Sequence, residues 1–275
     1  MSELLKKVKT AMRQTPDERE LRLNNDTGLL KILACLFMVC DHAGKMFFPN
    51  ALILSDSGTF GFLLPKMSLF RAVGRLAMPL FAYCIAVGCL KTRNIWKYAF
   101  RILLLAILVQ PLYQEAMGHV RLGQFGGITE YLRLDKVFTY YYCSNLNMLF
   151  SLFLASSVIG CYRARAYLPL VLTGLLCWCL QNRMDYGIKI VFLICIFFAT
   201  LDRPLASFTA VFLFMWYWGM PRFFTNGSLA SNGQLYAIAS LPLIYIPMKR
   251  RVKLPKWFFY AFYPAHLLVI LLLQL

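Results

Sequence analysis

The stretch from Gly28 to Pro49 fixes what this chain can become. It is apolar over about the 20 residues that a helix needs to cross a bilayer, yet it carries Asp41, His42 and Lys45 near its second end. One ionised side chain at bilayer depth costs about 2.5–3.5 kcal/mol on insertion scales. Three so close together require partners or a purpose. Asp41 and Lys45 stand one turn apart and can pair. His42 lies about 100° round the helix from Asp41, so contact between those two is not given by spacing.

The rest of the chain has the same character. Of its 275 residues, 60% are hydrophobic and only 15% are charged. That composition reads as an all-α, polytopic integral membrane bundle rather than a soluble domain. Residues 1–27 are polar, with no apolar run before Leu29, so no cleavable signal peptide is expected. The net charge of +17 would suggest nucleic acid in a soluble protein. In a membrane protein the same Lys and Arg residues belong in loops facing the cytoplasm, and no nucleic-acid partner is expected. The nine cysteines lie almost entirely inside apolar segments. With three histidines and no Cys-x-x-Cys pair, neither a disulfide framework nor a metal site is expected.

Apolar segments place spans at 28–48, about 71–90 and 97–117. Others follow at roughly 145–161, 167–181, 187–201, 204–219, 233–248 and 257–274. The count is about nine, within eight to ten. Two regions follow: a charged cytoplasmic segment, 1–27, and a single transmembrane domain, 28–275, with a long outer loop at 118–143. Leu4 to Met12 reads as an amphipathic helix with Lys6, Lys7 and Lys9 suited to an anionic leaflet. Thr15-Pro16 reads as a second helix start, and Phe60–Leu69 as a short amphipathic run. Counted from a cytoplasmic N-terminus, inside loops hold Lys91, Arg93, Arg163, Arg165, Arg203 and Lys249 to Arg251. Outside loops hold fewer basic residues, among them Lys66, Arg133, Lys136, Arg183 and Arg222. This is the positive-inside bias, with the C-terminus outside.

Depth then groups the polar residues. His42, Arg75, Gln110, Gln114, Glu115, Asn145, Asn147 and His266 all fall between the outer surface and the midplane. Buried polar groups that pair cost far less than isolated ones, so one shared cavity is the economical arrangement. Blander roles stand beside this one. An intramembrane Asn such as Asn145 ordinarily stitches helices together, Arg75 can snorkel, and His119 belongs to a solvated loop. His42 is the hardest to explain structurally.

At these residues the chain resembles the TraX family, membrane acetyltransferases named for a protein that acetylates the N-terminus of conjugative pilin. The resemblance is carried by Met38-Val-Cys-Asp41-His42-Ala-Gly44 and by Phe70-Arg-Ala-Val-Gly74-Arg75-Leu-Ala-Met-Pro79. Thr92-Arg93-Asn94 with Tyr98 and Arg101, Leu146-Asn147-Met-Leu-Phe150, and Phe262-Tyr263-Pro264-Ala-His266 complete it. The tract 118–143 has no counterpart in it. The resemblance implies a bacterial cytoplasmic-membrane enzyme taking acetyl groups from acetyl-CoA. The acceptor would be an amine or hydroxyl, on a pilin-like N-terminus or an envelope glycan at the outer face.

On that reading His42 is the general base, or is itself acetylated, with Asp41 or Glu115 tuning it. Arg75 and Asn147 stabilise the oxyanion, and His266 is a second acid or base. Arg75, Lys91, Arg93, Arg101, Lys45 and the 249–251 cluster hold the donor's phosphates. A proton-coupled transporter is the alternative, because intramembrane Asp, His and Arg also make relays. No inverted repeat is evident to support it. A non-catalytic assembly factor is a third reading.

Overall fold

In hydrocarbon a backbone has only itself to hydrogen-bond, and long apolar runs with few charges answer with helices. The computed structural model describes residues 27–50, 53–54, 67–119, 141–142, 145–220, 222–223, 229–230, 233–246, 252–255 and 257–274. In order these form α1 (Thr27–Met46), α2 (Leu69–Gly74), α3 (Ala77–Lys91), α4 (Ile95–Ala116), α5 (Met148–Ala164) and α6 (Tyr167–Leu180). They continue as α7 (Gly187–Thr200), α8 (Pro204–Gly219), a 3-10 helix (Gly233–Ser240), α9 (Leu241–Tyr245) and α10 (Phe258–Leu272). Two short antiparallel pairings, Ile53–Leu54 with Met67–Ser68 and Arg222–Phe223 with Leu229–Ala230, complete the described elements.

The expected spans coincide with these helices except the second, which breaks between α2 and α3, and the eighth. Residues 233–248 do not form one α-helix; they run as the 3-10 helix and then α9. The tighter winding rises about 2 Å per residue, so the pair still covers roughly 24 Å. Thr27–Met46, Leu69–Lys91 and Ile95–Ala116 are long and apolar enough to cross a membrane. Helices α5, α6, α7 and α10 are apolar but shorter; the 14 residues of α6 rise about 21 Å against a core of about 30 Å. The expected amphipathic helix at 4–12, the helix start at Thr15-Pro16, 60–66 of the expected amphipathic run, most of 118–143 and the 249–251 cluster lie outside the described residues. Met67–Ser68 of that run is a strand instead.

Helix α3 is buried along most of its length, against α1, α5 and α7. At the periphery, α6 buries only Cys177. Its Leu168, Val171, Leu172, Leu175 and Leu176 face outward, as a lipid-facing helix does. Exposed Tyr167 and Trp178 mark its two ends, the interfacial positions that aromatic side chains favour. Pro111 inside α4 cannot donate to the Ile107 carbonyl one turn back. The Tyr142 hydroxyl donates to that carbonyl instead, at 2.9 Å.

Contacts define two ends of the bundle. At one, Arg163 at the end of α5 donates to the Cys89 carbonyl near the end of α3, and Lys31 near the start of α1 sits over the Phe259 ring of α10. At the other, Gln274 just past α10 donates to the Ala116 carbonyl of α4. There too the turn after α6 pairs with the chain entering α5, Leu146 N–H donating to Arg183 at 2.7 Å. This second end carries the polar cluster.

Two glycines bring α1 and α2 together there. A Cβ on Gly44 would meet the Phe70 Cβ at 2.7 Å, and one on Gly74 would fall on the backbone and Cβ of Asp41. Small residues let membrane helices approach this closely. Gly74→Ala is therefore expected to lower stability by about 1–3 kcal/mol, measured by thermal unfolding in detergent. Gly174→Ala on α6, where none of the described residues of other elements lies within 4 Å, should leave stability unchanged or slightly higher. Equal effects at the two positions would contradict the close approach.

Candidate functional site

Asp41, His42 and Lys45 occupy the last turns of α1. Gly74 presses on Asp41, which sets its carboxylate between two guanidinium groups from the α2–α3 corner. Asp41 Oδ1 lies 3.8 Å from Nε of Arg71 and 3.8 Å from Nε of Arg75. The chain leaves α2 at Gly74 and re-enters a helix at Ala77, so Arg75 stands in the break. Its Nη1 donates to the Tyr186 hydroxyl at 3.4 Å. Asp41 Oδ1 and both Nε atoms are buried without a hydrogen-bond partner among the described residues. Such unspent groups are rare in native interiors and gather at functional sites.

His42 meets His266 from α10, 224 residues away, with Nδ1 of His42 3.1 Å from Nε2 of His266. The rings stack at 5.2 Å and 18°. The tautomers follow from the network. His266 Nδ1 faces the Phe262 carbonyl at 3.1 Å; a carbonyl only accepts, so that nitrogen carries the proton. Nε2 of neutral His266 is then an acceptor, and His42 Nδ1–H donates to it. The lone pair of neutral His42 is left on Nε2. Phe262 also stacks with His266 at 5.6 Å, and Tyr263 meets it edge-on at 5.3 Å. Three aromatic rings thus pack on His266.

These groups line one cavity of about 180 Å³, whose charged walls are Asp41, Lys45, Arg71, Arg75 and Asp185, with His42 among them. Asp185 and Tyr186, which the sequence reading missed, come from the tight turn between α6 and α7. Tyr186 takes a left-handed backbone (φ 64°) and Gly187 follows with φ 59°, a turn that carries the Tyr186 side chain over Arg75. The Asp185 carboxyl is pushed up to about 6 by burial first and by the Asp41 carboxylate second, against the pull of Arg75 and Lys45. Burial likewise raises the Tyr186 hydroxyl, with the nearby Asp41 carboxylate second. A second, more open chamber of about 460 Å³ shares Arg75, Asp185 and Tyr186 with the first.

The other expected site residues lie elsewhere. Asn147 caps α5, its Oδ1 accepting from Leu149 N–H at 3.0 Å, and its amide donates to the Ala106 carbonyl and to Gln110 Oε1. Gln110 and Gln114 donate to the Tyr141 and Asn145 carbonyls. Glu115 accepts from the Tyr141 hydroxyl. These side chains bind α4 to the chain entering α5 and do not line the cavity. The bland reading fits the region, although Asn147 and the two glutamines do the stitching, while the Asn145 amide donates to exposed His119. Of the expected phosphate-binding set, Arg75 and Lys45 line the cavity. Lys91, Arg93 and Arg101 are exposed at the opposite end, Lys91 about 21 Å along α3 from Ala77. Among the described residues no cluster of three His, Cys, Asp or Glu could hold a metal ion.

A family model described as TraX protein matches residues 26–274. The chain is 26% identical over 144 residues to a protein named "Probable fimbrial assembly protein FimC, serogroup H1" from Dichelobacter nodosus. That match covers 52% of the chain and 49% of the relative, so the chain spans about half the relative's length. No solved structure matches.

The raised carboxyl of Asp185 has a thermal consequence. From the ordinary 3.8 up to about 6, the folded state holds this proton more tightly than the unfolded chain does. Raising the pH through that window therefore removes stability from the wild type, but not from Asp185→Asn. The melting-temperature difference between variant and wild type is expected to move in the variant's favour from pH 4 to 6 and then level off. A difference that is flat across the window contradicts the shift.

Proposed function

The chain belongs to the TraX family, and from that premise we propose that it transfers an acetyl group from acetyl-CoA to an amine or hydroxyl at the outer face of a bacterial cytoplasmic membrane. The observation that carries this reading is the His42–His266 contact beside a cavity of opposed charges, from which the lone pair of His42 is assigned to Nε2.

In the proposed reaction His42 Nε2 takes the proton of the attacking acceptor as its lone pair bonds to the thioester carbonyl carbon. The oxygen gains negative charge, and Arg71, Arg75 and Lys45 are the cations that line the cavity where it develops. As the carbon–sulfur bond breaks, the imidazolium returns the proton to the leaving thiolate. His266 acts through His42, keeping its Nδ1 protonated and its ring in place. Asp41 holds the two arginines at the cavity. Asn147 has its amide committed to helix capping and takes no part here.

The positive-inside bias puts the start of α1 in the cytoplasm and the cavity near the outer surface. The donor then enters from the end that carries Lys91, Arg93 and Arg101, with its thioester reaching up between helices. The relative's name, a fimbrial assembly protein, and the family's association with pilin acetylation make a pilus subunit a natural acceptor, beside an envelope glycan.

Two readouts on purified full-length protein test the proposal. At 100 times its dissociation constant acetyl-CoA should stabilise the wild type by about 2.7 kcal/mol, and His42→Ala by a similar amount. Acetyl transfer to an acceptor should fall about 10²–10⁴-fold in His42→Ala. Wild-type transfer by His42→Ala overturns the mechanism. No stabilisation by millimolar acetyl-CoA, together with proton-coupled uptake into proteoliposomes, overturns the acyl-transfer reading in favour of transport.

A further inference from the structure

The helices of this bundle are level at one end and staggered at the other. At the end that carries Lys91, a Cβ on Gly160 of α5 would meet Ile95 and Trp96 at the start of α4, and Arg163 reaches the Cys89 carbonyl of α3. At the cavity end α1, α4 and α10 stand together. Gln274 donates to the Ala116 carbonyl, and a Cβ on Gly118 would lie 3.6 Å from the Met46 side chain. Helices α5, α6 and α7 stop short of them. Asn147 bonds Ala106 and Gln110, and Leu146 pairs with Arg183 and Asp185 of the α6–α7 turn. The turn thus lies level with Gln110, six residues (110 to 116) or about 9 Å below the end of α4. Helix lengths agree. Helices α6 and α7, 14 residues each, rise about 21 Å, and the 22 residues of α4 about 33 Å.

A bilayer meets a short helix by thinning or by drawing its headgroups down to it. Trp178, exposed on α6 one turn before Asn182, marks where that lowered interface runs. Asn182 and Arg183 are exposed at the sunken rim. A guanidinium at such a depth calls for an anion, and among the described residues Arg183 has no ion pair. Asp185 has none either, though Arg75 and Lys45 pull on its carboxyl; it borders the chamber of about 460 Å³ that Asn182 also lines. The other charges there are engaged. Arg75 faces Asp41 and bonds Tyr186, and Lys189 lies over the Trp218 ring. A cation at the rim and an acid within fit a ligand of the reverse order, anion outside and cation inside. Below the rim the outward face of α6, with Leu172, Leu175 and Leu176, offers acyl chains a surface.

We propose that an outer-leaflet phospholipid with a primary ammonium headgroup occupies this recess. Its chains lie along α6, its phosphate takes bonds from Arg183 and the Asn182 amide, and its ammonium enters the chamber against Asp185. A choline headgroup has no N–H to give Asp185 or the Gln181 carboxamide oxygen, and a glycerol headgroup has no positive charge. The site holds with or without acyl transfer.

Full-length protein in detergent is titrated with dioleoyl phosphatidylethanolamine, phosphatidylcholine and phosphatidylglycerol, and the complexes are weighed intact by mass spectrometry. One phosphatidylethanolamine should bind about tenfold more tightly than either other lipid, the worth of one hydrogen bond to a charged group. Asp185→Asn should bring it down to the phosphatidylcholine level, and Asp185→Glu should restore the preference. Arg183→Gln, at an exposed position that the fold tolerates, should weaken it about tenfold. Arg165→Gln at the opposite end should not change it. Equal binding of the three lipids overturns the proposal, as does an unaffected Arg183→Gln or an equal loss in Arg165→Gln. Competition by water-soluble glycerophosphoethanolamine at the concentration of the lipid keeps the headgroup chemistry but overturns the membrane as its source.

Discussion

Asp41 between two arginines is the interaction on which the rest of the site depends. A lone carboxylate near membrane depth is costly, and removing one partner of a buried pair costs far more than the pair itself returns. The cost is met by proximity. Gly74 lets the α2–α3 corner come down onto α1 until Asp41 Oδ1 faces Arg71 and Arg75 at 3.8 Å each. Any side chain at Gly74 pushes the corner away, and the arginines with it. The break after Gly74 also turns Arg75 toward Tyr186, so one contact fixes α1, α2, the start of α3 and the α6–α7 turn together.

Within that frame His42 has little freedom. Its ring lies on His266, which is itself held by the Phe262 carbonyl and by flanking aromatic rings. The base of the proposed reaction needs an available lone pair more than it needs mobility, and a chain of two imidazoles ending on a carbonyl would supply one at Nε2. The cavity it faces carries Lys45, Arg71 and Arg75 against Asp41 and Asp185. That balance favours a transient negative oxygen over a permanent anion, which the two carboxylates repel.

Much of this was written in the sequence. Charged residues inside an apolar run marked Asp41, His42 and Lys45, and depth alone grouped them with Arg75 and His266. The helices fell where apolar segments lay, apart from the break after Gly74 and the segment 233–248. There a 3-10 helix covers the distance with fewer residues, which hydropathy does not distinguish from an α-helix. Depth could not separate residues at one level but on different faces. Asn147, Gln110 and Glu115 share the slab, yet the last two point at the chain entering α5 and Asn147, on that chain, points back at α4. Asp185 and Tyr186 were hidden for the opposite reason. They sit in a short connection between two helices, and nothing local shows that the connection is buried over the site. An acid followed by Tyr-Gly between two apolar runs was the one available sign.

The most direct test of the central claim is the tautomeric state of His42. The chain has three histidines, and His119→Gln leaves two signals for nitrogen-15 spectroscopy of histidine-labelled protein in bilayers. At pH 8, above the ordinary histidine range near 6.5, both remaining rings are expected to carry the proton on Nδ1, with Nε2 of each unprotonated. His266→Phe should release His42 into a mixture of tautomers. A His42 ring protonated on Nε2 in the otherwise wild-type protein would leave no base facing the cavity and would contradict the account.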